Sequence, residues 1–209
     1  MTYLCRMKKI ALTGNFCSGL DKAAEVCATL DIPVFNADLA IKFMLNWRED
    51  IQRQIRIQFG FTSTVDGSPI ASKFDTAEKF DRLLDVVDVD LFLAWEAFCD
   101  RHCYLPIVAY SSHIVYERGI ADRFDAVVNI YRPQRMRAHD IASVKAVSYP
   151  QALAIAAQEM SEEEKNRMAD HVVHNYDRLS MLTQMEAVRQ QLASAPPGQA
   201  FYANRFVRG

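Results

Sequence analysis

The chain has 209 residues, half of them hydrophobic and 24% charged, with a formal net charge of -2. That length can bury one full core, and the near-neutral balance argues against a nucleic-acid partner or a charged membrane-facing surface. The apolar stretches are short and interrupted, so no membrane-spanning helix is expected, and the start, MTYLCRMKKIALTG, lacks the pattern of a secretory signal.

Residues 8–14, KKIALTG, form an apolar run that stops at Gly14, the pattern of a buried strand entering a turn. Residues 21–30 then place Ala23, Val26, Cys27 and Leu30 on one helical face. A second apolar run at 32–35 follows a break at Asp31. Strand, helix and strand within about thirty residues make a βαβ unit, which predicts a parallel sheet. From 40 to 102 the pattern is mostly helical, with Phe80, Leu84, Val87, Leu91, Trp95 and Phe98 recurring at three and four residues. Residues 60–72, rich in Gly, Ser, Thr and Pro, read as a loop inside this stretch. The whole stretch interrupts the strand–helix alternation and predicts an inserted helical subdomain.

Strands return at 106–110 and 125–131, and Pro133 opens a polar helical region that runs to about Arg167. Residues 170–174 read as the last strand. Leu179, Leu182, Met185, Val188 and Leu192 mark a closing helix, and the tail from Ala195 is expected to pack poorly. The five cysteines, Cys5, Cys17, Cys27, Cys99 and Cys103, are odd in number and irregular in spacing, which reads as reduced thiols of a cytoplasmic protein. Cys99, His102 and Cys103 share a helical neighbourhood but lack the partner pair that a zinc site needs. Trp47 and Trp95 read as packing residues.

A strand, then Gly14-Asn15-Phe16-Cys17-Ser18-Gly19, then a helix is a geometry for an anion, because backbone N–H groups converge where the helix dipole favours negative charge. The phosphate-loop pattern is Gly, four residues, Gly, Lys and Ser or Thr. The two glycines have that spacing, but Leu20 and Asp21 follow them. A tight strand-to-helix turn explains two glycines equally well. The absent lysine would offset the charge of the β- and γ-phosphates during transfer. Lys22 lies about 200° round an ideal helix from position 20, which disfavours simple replacement. Asp21 stands where a hydroxyl would ligate Mg²⁺; a carboxylate there can hold a metal cation, but without one it repels phosphate. Cys17 reads either as a small buried residue or as a redox-sensitive thiol beside a helix N-terminus.

Read together, several segments resemble the dephospho-CoA kinase family. KKIALTGNFCSG followed by IPVFNADLA resembles its opening, TGGIGSGKS/T and then a DAD motif. HIVYERGIADRFDAVVNIYRP resembles its PLLFE segment and the strand beyond, with His113 in place of the proline. Gln158, Ser161, Glu164, Lys165 and ADHVVHN resemble its Q-M-S-x-E-x-K and AD-x-V-I-x-N ending. The ordered match runs from roughly residue 8 to residue 192. It implies an α/β, three-layer P-loop NTPase of nucleotide-kinase type, with a parallel sheet, a helical CoA-binding insertion and a lid. On that plan residues 1–47, 105–133 and 168–195 form the core, 48–104 the helical substrate subdomain, 134–167 the lid and 196–209 a tail. The implied reaction moves the γ-phosphoryl group of ATP, with Mg²⁺, onto the ribose 3′-hydroxyl of dephospho-CoA.

The resemblance also implies roles. Asp38 matches the second acid of DAD, a base at the acceptor hydroxyl, while Asn36 replaces the first; Glu117 matches the glutamate of PLLFE on the substrate side. Arg135 and Arg137 would be lid cations, though the family's further arginines fall where 140–144 stand, and Asn175 would lie near adenine. Each has a plainer alternative: Asp38 as the cap of a helix at 39–45, Glu117 as a surface carboxylate, the arginines as solvated side chains, Asn175 as a turn residue. Leu20, Asp21, Asn36 and the altered lid each depart where phosphate, metal or acceptor would touch. The expectation is a catalytically impaired homologue that binds a nucleotide or CoA-like ligand, the alternative being an active divergent kinase with compensating cations.

Overall fold

The computed structural model describes residues 7–60 and 77–194, with the side chains of 7–60 and 81–194. Most of the loop expected at 60–72, and the tail from Ala195, lie outside the described residues. Five strands, β1 (Lys8–Thr13), β2 (Val34–Asn36), β3 (Ile107–Ser111), β4 (Ala126–Tyr131) and β5 (His171–His174), form one sheet in the order β2-β3-β1-β4-β5. The pairings of β1 with β3, β1 with β4, and β4 with β5 are all parallel. Ile10 and Leu12 point into a core with Ile107, Ala109, Val128 and Ile130, which explains why the central strands read as continuous apolar runs.

Eight described helices follow the chain: α1 (Leu20–Thr29), α2 (Ala37–Trp47), α3 (Glu49–Phe59), α4 (Ala77–Arg101), α5 (Gln134–Lys145), α6 (Tyr149–Ala156), α7 (Glu162–Met168) and α8 (Met181–Ser194). The described chain divides into two compact units that part at Phe35–Asn36 and again at Arg101–His102. The first unit holds the sheet core, closed by Ala23 and Cys27 of α1 and by Met181, Met185, Val188 and Leu192 of α8. Leu179 and Leu182, expected on the buried face of the closing helix, are instead about half exposed, because the buried stripe starts at Met181 and Leu179 precedes the helix.

The polar region opened by Pro133 resolves into α5, α6 and α7. Ala138 and Ile141 of α5 pack with Ala152 and Ala156 of α6 as a small second core. The second unit consists of α2, α3 and α4, so it begins at Asn36 and includes a helix assigned to the core by the expectation of a subdomain at 48–104. Leu84, Val87, Leu91 and Trp95 of α4 are buried, as are Ile51 and Ile55 of α3. Trp95 stacks on Phe98 at a centroid distance of 5.9 Å. Trp47 is not a packing residue: it lies at the end of α2 with 74% of its surface exposed.

Candidate functional site

The loop after β1 is built from side-chain size and backbone sign. A Cβ on Gly14 would stand 2.4 Å from Ser18 Oγ and 2.7 Å from the carbonyl oxygen of Ile130, so only glycine lets the loop lie against β4. Ser18 N–H donates to the Asn15 carbonyl at 2.9 Å, Cys17 takes φ 62 and Gly19 φ 96, and the chain then enters α1. At Gly19 a Cβ would also meet Asn175 Nδ2 at 2.1 Å. Asn175 sits there because its Nδ2 donates to the Ser18 carbonyl at 2.8 Å, while Arg132 Nη1 donates to the Asn175 carbonyl at 2.9 Å. Asn175 thus braces the loop from the end of β5.

Leu20, the first residue of α1, is only 3% exposed and belongs to the sheet core. Asp21 and Lys22 are exposed in the same first turn. The loop therefore presents neither an ammonium nor a hydroxyl at positions 20 and 21. Asp21 belongs to no cluster of three or more metal-ligating side chains, and no such cluster occurs among the described residues. A cleft of about 500 Å³ opens beside the loop, lined by Phe16, Cys17, Asp21, Lys22, Arg132 and Asn175 among others. Lys22 thus reaches the rim of this cleft despite its angular offset from Leu20. Arg132 Nε donates to Asp140 Oδ2 at 2.9 Å, and Lys145 Nζ lies 5.3 Å from the centre of the Phe16 ring.

Cys17 is half-buried, and burial, with a smaller contribution from Asp140, pushes its thiol pKa up. That direction opposes the reactive-thiol alternative, because it is the thiolate that reacts.

The two arginines expected in a lid part company. Arg135 is exposed beside Pro133 and Ser161 in a cavity of about 380 Å³. Arg137 is not solvated: none of its surface is exposed. Its Nη1 donates to the Phe16 carbonyl at 2.8 Å and to Glu159 Oε2 at 2.6 Å, its Nε to Glu162 Oε1 at 2.7 Å, and its Nη2 also pairs with Glu162. The other oxygen of Glu159, Oε1, accepts the Phe16 N–H at 2.7 Å, and Asn15 Nδ2 donates to the Met160 carbonyl at 2.8 Å. Glu159 and Glu162 were not among the sequence candidates; they stand within the Gln158–Lys165 motif, but nothing in their spacing marks them as partners of residues 16 and 137.

Lys165, a motif residue, is buried, with Nζ 2.8 Å from both the His113 carbonyl and Glu117 Oε1. Glu117 is thus the partner of a buried lysine rather than an ordinary surface carboxylate. The cap of α2 is Asn36, whose Oδ1 accepts the Leu39 N–H at 3.0 Å, and Asp38 falls inside the first turn. The expectation of Asp38 as the cap is corrected: the helix starts two residues earlier than the apolar run suggested.

No protein-family model matches the chain. It is 26% identical to a dephospho-CoA kinase of Salinibacter ruber over 87% of its own length and 95% of the relative's. It is 24% identical to a dephospho-CoA kinase of Novosphingobium aromaticivorans over 78% of its length and 84% of the relative's. Among solved structures, a Thermus thermophilus protein known as TT1252 matches with a TM-score of 0.73 at 23% identity, covering 90% of this chain and 98% of that one. Dephospho-CoA kinase from Campylobacter jejuni matches with a TM-score of 0.53 at 16% identity, covering 90% and 99%. The chain thus has the fold of the P-loop nucleotide kinases, and its sequence resembles the dephospho-CoA kinases over most of its length.

Proposed function

We propose that this protein is a dephospho-CoA kinase homologue that has lost phosphoryl transfer and retains the binding of a nucleotide or CoA-like ligand. The observation that carries the reading is Leu20: where a phosphate loop needs an ammonium, this chain buries an alkyl side chain in the sheet core. Phosphoryl transfer is catalysed almost wholly by position and charge, so a missing cation at the β- and γ-phosphates removes a large part of what the fold supplies. The loop does not fit a triphosphate as a phosphate loop does, since no ammonium follows Gly19 and the Phe16 amide is already satisfied by Glu159.

A ligand site remains on this reading. The cleft beside the loop is large enough for a nucleoside-sized group and carries polar and aromatic side chains. Calorimetry with ATP, CoA and dephospho-CoA in turn tests it: binding of at least one is expected, and no heat from any of them would leave only a scaffold. One observation favours the active alternative. Lys22 and Arg132, the latter paired with Asp140, line the cleft as cations in reach of a phosphate there, and an assay of turnover separates this reading from ligand binding.

A further inference from the structure

Glu159 does something at the loop that the resemblance does not require. Its carboxylate spans two partners: Oε1 takes the Phe16 N–H and Oε2 takes Arg137 Nη1, whose guanidinium also holds the Phe16 carbonyl. A backbone amide of a strand–loop–helix turn is where such loops receive an anion, and a carboxylate offers it the same kind of charged oxygen as a phosphate. The neighbouring residue is fastened too, because Asn15 Nδ2 donates to the Met160 carbonyl. Phe16 and Cys17 pack their side chains on the small core of α5 and α6, so loop and lid helices are joined by apolar as well as polar contacts. Within the loop, the buried Ser18 Oγ has no hydrogen-bond partner, although it is only 1% exposed.

We infer that Glu159 is a tethered anion that occupies the loop in place of phosphate, so that the 14–19 loop takes a phosphate group only when the segment between α6 and α7 withdraws. The inference rests on reading the loop as an anion site, and not on the loss of catalysis. The Glu159 side chain keeps 24% of its surface exposed, so an external anion can reach the carboxylate it must displace. Arg137 would remain paired with Glu162 after that exchange and would hold its place behind the loop.

The probe is inorganic pyrophosphate, titrated by calorimetry into the wild-type protein, Glu159→Ala and Glu159→Gln. A tethered competitor lowers apparent affinity through its effective concentration, so removing it is expected to tighten pyrophosphate binding by about tenfold in the alanine variant. The glutamine variant keeps the side chain's size and one acceptor but loses its charge; it is expected to lie between the other two and carries the test if the alanine variant does not fold. Amide spectra of ¹⁵N-labelled protein locate the binding, with residues 14–19 expected to shift. Equal or weaker binding in the folded variants, or tighter binding that leaves those amides unmoved, would overturn the inference. Turnover of ATP by the wild type would end the proposed loss of catalysis and leave this inference standing, so the two fail separately.

Discussion

Arg137 shows how a single side chain can be recognised as important and still be misread. Its position after Pro133 marks it as a lid cation, yet it is wholly buried, and its charge is spent on Glu159 and Glu162. Those partners lie 22 and 25 residues further along a polar stretch, where no periodicity links them to it. A buried ion pair is weak as a net stabiliser, but removing one partner strands the other in a poor solvent. Arg137→Ala is therefore expected to cost about 3–5 kcal/mol of stability, measured as a lower urea midpoint with an unchanged slope. A loss below about 1 kcal/mol would mean that the two glutamates find water as readily as they found the guanidinium. The glycines were legible for a different reason. Gly14 and Gly19 are dictated by backbone geometry, which leaves its mark directly in the sequence, whereas the bracing of Gly19 by Asn175 joins residues 156 apart and does not.

At the level of elements, the strands were the easiest to see. β3 and the central residues of β1 and β4 are buried, so they appear as largely apolar runs with errors of only a residue at their ends. The stretch of α5 to α7 is harder to read, because α5 buries a charged residue beside Ala138 and Ile141, which blurs the apolar stripe. Its divisions were nevertheless written in capping residues. Gln151 Oε1 accepts the Ser148 N–H at 2.9 Å at the start of α6, and Ser161 Oγ accepts the Glu164 N–H at 3.2 Å at the start of α7. Three glutamates in the first turn of α7 further suit the positive end of its dipole. Ser161→Ala is expected to cost about 1 kcal/mol and to speed amide exchange within α7 before it affects the sheet. Uniformly faster exchange across β1 and β4 would show that the cap matters to the whole unit and not to one short helix. The Asn36 cap is hidden in the sequence for the reason that points to Asp38: the apolar run begins at Leu39, but the helix begins at Ala37.

Over the whole molecule, the parallel sheet agrees with the nucleotide-kinase fold, and the resemblance to dephospho-CoA kinases covers most of the chain. Besides Asn36 of the second unit, the departures from the family pattern gather at the loop of the first unit and the helices beside it. Leu20 faces the core, Asp21 faces solvent, and a carboxylate from the chain itself sits on the Phe16 amide. On the proposed reading, Leu20 and the Glu159 carboxylate act in the same direction, because one withholds a cation from a triphosphate and the other occupies a loop amide. The decisive measurement is turnover of ATP by the purified protein with Mg²⁺ and dephospho-CoA, followed by ³¹P NMR. No phosphorylated product above the protein-free blank is predicted; formation of the 3′-phosphorylated product by the wild type, and its disappearance in Asp38→Ala, would contradict the account.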